Sequence, residues 1–343
     1  MSQHTEILIG GDFGAPLAAG DQSKKTIVIE ASRTGDRRYE IAATGRNERL
    51  VVGFEHSPCW PNNRRGWTIP NLALSIRDDP RVTVAAFDFP FSIPLDLLQN
   101  AAFACRVAAD AFHSRANWTQ FMNQRVGMTF SSDRARGRLR LDPILWGWKD
   151  KIFWTKRATD VATNAQPPLK HMFQNLFNMT VIGSCFLGIL REGGMQILMH
   201  AKDAEGASAS CEKPENSGSA APQERDRAVI ETYPGAVATW VGFHGNYKQD
   251  PTGCLETAEA YLRDQKITLD FHQRVRKFCL EYRTPPDDPD GADAFLCLVT
   301  AICFRERLVA WQTGAGTAMQ LDEEGCIVTP MKLQGCRVGK SNE

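Results

Sequence analysis

Five carboxylates in this chain of 343 residues stand where an apolar run begins or ends. Asp12 follows ILIGG, Asp88 follows RVTVAAF and Glu231 follows RAVI, while Asp290 and Asp293 open the apolar stretch DGADAFLCLVTAICF. Each has an ordinary explanation. Asp12 among glycines, and Asp88 before Phe89-Pro90, suit turns. Glu231 before Tyr-Pro suits a strand edge. Asp290 suits a helix N-cap, and Asp293 the first turn, where the helix dipole favours an anion. Together they ask for more. If the first and fourth strands are neighbours, Asp12 and Asp88 emerge side by side. A helix starting beside that end adds Asp290 and Asp293, which share one face because residues three apart are neighbours on a helix. Gathered carboxylates repel unless a cation sits among them. Hard divalent ions such as Mg²⁺ or Mn²⁺ take oxygen ligands, and two of them about 4 Å apart activate water and stabilise a phosphoryl leaving group.

The elements that must position these acids can be read along the chain. EILIGGDF, KKTIVIEAS and RRYEIAAT are short strand candidates separated by turn residues. WTIPNLALSIRDD fits helical spacing and RVTVAAFD is a fourth, β-branched strand. The β-β-β-α-β order predicts an antiparallel meander and a helical crossover to the fourth strand. Residues 95–190 are expected to form a mostly helical insertion ending in a helix through HMFQNLFNMTVIGSCFLGIL, with GMQILMH a short strand after it. Residues 203–226, rich in Ser, Gly and Pro with no large apolar residue, predict a flexible surface loop. If that loop is an insertion within one domain, the strands flanking it would pair as a hairpin. RAVIETYPGAVATW predicts a strand ending at Glu231 and a helix started by Pro234. Helices are expected at 254–265 and 269–282, then the buried helix of Asp290 and Asp293. EEGCIVTP closes the pattern as a short strand or extended arm, so residues 1–343 read as a single domain.

Composition narrows the chemistry. Forty basic and forty acidic residues cancel, so no global field draws nucleic acid. Locally, eight basic residues stand against three acids between Asp133 and Arg157. Arg134, Arg136, Arg138 and Arg140 lead that stretch, interleaved with Trp146, Trp148, Phe153 and Trp154. Positive charge among aromatic rings suits a phosphate backbone with exposed bases, and it equally suits a solvated face whose tryptophans belong to the core. The ten cysteines form no CxxC pair, which predicts reduced thiols and no structural zinc. The seven histidines are dispersed, and GxSxG and P-loop motifs are absent. No apolar run reaches membrane-span length and no signal peptide is evident, so a cytoplasmic protein without a membrane partner is expected.

The β-β-β-α-β opening, with acids after its first and fourth strands and a D-x-x-D pair on a closing helix, resembles the ribonuclease H-like fold. GGDFGAP, AAFDFPFSIP, IETYPGAVATW, DGADAFLCLVTA and EEGCIVTP resemble, in order, the motifs of a family of predicted ribonuclease H-like nucleases. KRATD, residues 156–160, resembles an Arg-x-x-Asp element midway in that family. The resemblance implies a three-layer α/β fold with a mixed five-stranded sheet, flanking helices and a helical insertion. It also implies a Mg²⁺- or Mn²⁺-dependent phosphodiesterase acting on nucleic acid. Asp12, Asp88 and Asp293 would be metal ligands, assisted by Asp290 or Glu231, and Lys156 and Arg157 would neutralise the phosphate. The chain differs in writing FDFP, where a small residue more often precedes the proline, and this is expected to crowd the strand end.

Two other classes fit parts of the pattern. Kinase-like ATPases of the same fold also begin with an Asp-Gly turn, here GGDFG, although only one later glycine loop, GAGTA at 314–318, follows. A catalytically inactive binding module would keep the fold and lose the metal.

Overall fold

The computed structural model describes residues 6–14, 26–44, 69–91, 156–167, 176–199, 201, 203, 227–281, 290–315 and 325–332. Residues 95–155 of the expected helical insertion, with Arg134, Arg136, Arg138 and Arg140 of its basic aromatic segment, and the polar stretch 204–226 lie outside the described residues. In chain order the elements are β1 (Ile7–Phe13), β2 (Thr26–Gly35), β3 (Arg38–Thr44), α1 (Ile69–Asp78) and β4 (Val82–Asp88). Then come α2 (Ala158–Thr163), α3 (Leu176–Glu192), β5 (Gln196–Leu198), β6 (Ala228–Glu231) and α4 (Pro234–Trp240). The remainder are α5 (Pro251–Asp264), β7 (Thr268–Phe271), α6 (Gln273–Glu281), α7 (Asp290–Arg305), β8 (Val309–Gln312) and β9 (Ile327–Pro330).

The main sheet has seven strands, in the order β5-β6-β4-β1-β2-β3-β7, two more than the five expected. Of the two short edge strands, β5 is the one expected from GMQILMH, and β7 stands where a helix is expected. β1, β2 and β3 form the antiparallel meander, and β4 lies parallel to β1, as α1 leads from one edge of the meander to the other. Within this sheet β2 alone runs against the rest. β8 and β9 form a separate hairpin, joined to the main body by a bridge between Thr232 and Val328.

Two expectations need correction. β5 and β6 pair in parallel, not as a hairpin. Parallel neighbours need a crossover of a dozen or more residues, and the chain from Met199 to Arg227 is long enough to supply one. The segment expected as a helix from residue 269 begins instead as β7, because Thr268–Phe271 pairs with the open edge of β3 and Arg38 bonds Asp270 at 2.8 Å. The helix itself, α6, starts only at Gln273.

Helices cover both faces of the sheet, giving three layers. On one face Phe13, Phe87 and Phe89 pack edge-on against Phe186 of α3. On the other lies α7, buried at every residue from Asp290 to Cys303, with α5 and α6 outside it. A helix apolar on all sides is a buried helix, as its sequence foretold. The adjacent glycines of ILIGGDF explain how β1 fits between these layers. A Cβ on Gly10 would stand 2.1 Å from the Leu298 nitrogen of α7, and one on Gly11 would stand 2.5 Å from the Phe87 ring. Alternation along the strand sends the two to opposite faces. They mark close approach of a neighbour on each side, not a turn.

Candidate functional site

Asp12 and Asp88 are direct register partners at the carboxyl ends of β1 and β4. Neighbouring strands lie about 4.8 Å apart, and cross-strand partners present their side chains to the same face. That face is the one α7 covers, because Asp12 stands two residues after Gly10. Asp12 is buried and Asp88 is half-buried. Phe89, expected to crowd this end, points to the opposite face. Its ring lies 4.6 Å from that of Phe13, against Gly183 of α3, whose hydrogen in place of a side chain leaves it room. FDFP therefore leaves the acid end of β4 clear.

Asp290 and Asp293 occupy the first turn of α7, both buried. One turn beyond Asp293, Cys297 lies under the strand ends. Burial, and after it the fields of Asp88, Asp12 and Asp293, hold its thiol well above the ordinary range, while the Gly11 N–H pulls the other way. One thiol thus feels acids from two strands and a helix. Tyr247 donates a hydrogen bond to Asp293, and its hydroxyl is raised by burial and then by Asp293 and Asp88. Tyr233 is pushed up to about 12 by burial and then by Asp88, with Lys248 opposing. Both phenols stay protonated at neutral pH, and Tyr247 is the donor to Asp293. The Lys248 ammonium stands 3.6 Å from Asp293 Oδ2 and 5.9 Å from the centre of the Tyr247 ring.

Glu231 belongs to a different cluster. Arg157, only 1% exposed, donates from Nη2 to Asp160 at 2.7 Å and from Nη1 to Glu231 at 2.8 Å. Nη2 also bonds the second oxygen of Glu231. Asp160 accepts the backbone N–H of Arg157 at 2.8 Å, which closes the start of α2. Glu231 also accepts the N–H of Phe91 at 2.9 Å, so it fixes the chain just after Asp88. Burial alone would lower the arginine, but the two carboxylates outweigh it and the guanidinium is held above its usual range. Glu231 is raised by burial, with Arg157 pulling it back.

The expected residues therefore divide. Asp12, Asp88 and Asp293 are brought together, with Asp290 one helical turn before Asp293. Glu231 and Arg157 are bound to each other, so the expectation that Arg157 faces a phosphate is corrected. A buried guanidinium flanked by two carboxylates presents no donor to solvent here. Lys156 stands half-buried beside it. Sequence reasoning missed Tyr233, Tyr247, Lys248 and Cys297. Tyr233 and Cys297 lie inside the stretches IETYPG and DGADAFLC. The local sequence of the 241–250 loop gives no sign that Tyr247 and Lys248 meet an acid more than forty residues away.

Among the described residues no group of three His, Cys, Asp or Glu side chains is placed to hold a metal ion. A Mg²⁺ site asks less than that. It is usually held by one or two carboxylates, with water and substrate phosphate completing the shell. The donors here are hard oxygens, and Asp12 with Asp88 supplies two on one face. Asp293 meets Lys248 through Oδ2, while its Oδ1 is a buried acceptor given no hydrogen-bond donor by the described residues. Asp12 and Asp88 are the residues that could hold a small divalent cation. No helix among the described residues is long and apolar enough to cross a membrane. Comparison with protein-family models, with curated proteins and with solved structures finds no match to this chain.

Proposed function

We propose that this protein is a ribonuclease H-like hydrolase of phosphodiesters in nucleic acid, dependent on Mg²⁺ or Mn²⁺ held by Asp12 and Asp88 with Asp293 facing them. The reading is carried by one observation: Asp12 and Asp88 are register partners at the carboxyl ends of adjacent parallel strands. In open α/β sheets that end is where ligands bind. The three-strand meander, the crossover to a fourth strand parallel to the first and the acid pair at the head of a buried helix support the same fold family.

When bound, the metal would lower the pKa of a water and offset charge on the phosphoryl oxygens. The chain's own part is positional. Asp12 and Asp88 supply hard ligands from rigid strands, and α7, pressed on Gly10, sets the height of Asp293 above them. Tyr233, kept protonated, offers a hydroxyl donor to an anionic substrate beside the acids, while the Tyr247 hydroxyl donates to Asp293. Glu231 and Arg157 act at a distance by fixing the chain after Asp88.

The test is a cleavage panel of single-stranded, duplex, hybrid and branched nucleic acids with Mg²⁺ or Mn²⁺, run beside Asp12→Asn and Asp88→Asn. Metal-dependent cleavage lost in both variants, with their folds intact by thermal melting, is the expected result. Stabilisation by ATP with no cleavage would favour a kinase-like ATPase. A chain that neither cleaves nor gains stability with Mn²⁺ would be a binding module.

A further inference from the structure

The expected ligand set counts Asp293 with Asp12 and Asp88, yet among the described residues the three do not form a group placed to hold one ion. Asp293 is met by donors of its own chain. Tyr247 donates a hydrogen bond to it, and the Lys248 ammonium stands 3.6 Å from its Oδ2. Its other oxygen, Oδ1, is buried away from solvent. Both donors come from one turn between α4 and α5 whose backbone is built in advance. Asn246 accepts the Lys248 N–H on its side-chain oxygen at 3.1 Å, and its carbonyl accepts the N–H groups of Gln249 and Asp250 at 2.9 and 3.1 Å. Asp250 then caps α5 by accepting the Gly253 N–H at 2.9 Å, ahead of Pro251 at the first helical position. The Tyr247 ring packs against the core, so the turn is anchored at the residue that bonds Asp293.

Charge then decides how many ions the site takes. An ion on Asp293 Oδ2 would meet a positive charge already beside that oxygen, and like charges close together in a partly buried site repel strongly. Asp12, Asp88, Asp293 and the Lys248 ammonium together carry two net negative charges, which one divalent ion balances. The Arg157 cluster supplies no further demand, because its carboxylates hold their own cation. Building on the function proposed above, we infer that the site takes a single divalent ion, on Asp12 and Asp88, and that Asp293 stays with Tyr247 and Lys248 as their partner and is not a ligand. Asp293 lends the ion its charge and no bond. The pair of ions about 4 Å apart that the carboxylates suggest in the sequence is thereby reduced to one, with a protein cation standing where the second would be.

The test counts the Mn²⁺ ions bound by the full chain in calorimetry, for wild type, Asp12→Asn and Asp293→Asn, each first checked for folding by thermal melting. Wild type is expected to bind one Mn²⁺ and Asp12→Asn none. Asp293→Asn should still bind one, more weakly, because it loses a charge and no coordination. Two ions in wild type, or a loss in Asp293→Asn as complete as in Asp12→Asn, overturns the inference and leaves the proposed function standing. No Mn²⁺ in wild type, or undiminished binding by Asp12→Asn, overturns both. A second measurement follows the carboxylate itself. A double-mutant cycle of Tyr247→Phe and Asp293→Ala in chemical denaturation gives the coupling between the two side chains. That coupling should be the same size without Mn²⁺ and at saturating Mn²⁺. A coupling that vanishes in Mn²⁺ means that the ion has taken the carboxylate, and it overturns the inference even where one ion is counted.

Discussion

Two clusters of buried acids meet at the same end of the sheet, with Tyr233 feeling the charge of both, and they are balanced in opposite ways. In one, Arg157 lies between Asp160 and Glu231, every partner nearly sealed from water, and the cluster is complete as it stands. In the other, Asp12, Asp88 and Asp293 face a half-exposed lysine and two tyrosine hydroxyls. The buried arginine makes several bonds in a plane, whereas the lysine meets Asp293 as a point charge at 3.6 Å. The first cluster ties distant segments of the fold together, and the second stands beside a partly exposed cation. Acids at the ends of adjacent strands thus differ in the cation each one meets and in how far water reaches it.

The largest expected effect separates the clusters by stability. Arg157→Ala leaves two carboxylates buried without their cation and is expected to cost about 3–5 kcal/mol in chemical denaturation. A loss below about 1 kcal/mol would erase the distinction between the two sites. Gly10→Ala comes next. Its methyl group would meet the backbone of α7, so about 1–3 kcal/mol of overpacking is expected, together with weaker Mn²⁺ binding as Asp293 shifts from the strand pair.

The pH dependence of stability sharpens the comparison from the electrostatic side. Burial, and after it the field of Asp293, pushes the Cys254 thiol up to about 12. An unfolded thiol ionises near pH 8.5, so at higher pH the folded chain holds the proton that the unfolded chain has released. This contribution is whole below about pH 8.5 and is lost as pH rises through about 12, at up to about 1.4 kcal/mol per pH unit. Denaturation midpoints measured at several alkaline pH values should fall less steeply in Cys254→Ala. The smallest effect has the opposite sign to the first. Asp12→Asn relieves repulsion in the open cluster, so its metal-free melting temperature should equal or slightly exceed that of wild type. A marked fall would mean that Asp12 is as structural as Glu231.

Much of the frame was legible because it is written locally. Short runs bounded by turn residues marked β1, β2 and β3, β-branching marked β4, Pro234 marked the start of α4, and unbroken apolarity marked α7 as buried. The side-by-side emergence of Asp12 and Asp88 followed from strand order alone. Direction of pairing was harder. β5 and β6 are too short for their own residues to say parallel or antiparallel, and only the length of chain between them bears on it. The partition of the acids was not legible at all. Asp12 and Glu231 carry the same local signature, a carboxylate closing an apolar strand, and what distinguishes them is Arg157, 74 residues from Glu231. Phe89 was misread because its neighbour Asp88 was considered without the alternation that sends the two to opposite faces.

The bond from the Phe91 N–H to Glu231 spans 140 residues of sequence. Contacts that close such long loops come late and slow the search for the native state, while the β1–β2–β3 meander can assemble from neighbours. The segment that carries Asp88 out of its strand therefore gains its final anchor only after more than half of the chain has arrived. Hydrogen exchange during refolding should show the Phe91 amide protected after those of β2. On this order of events the meander is a template, and the acid end of the sheet is the last part of the molecule to set.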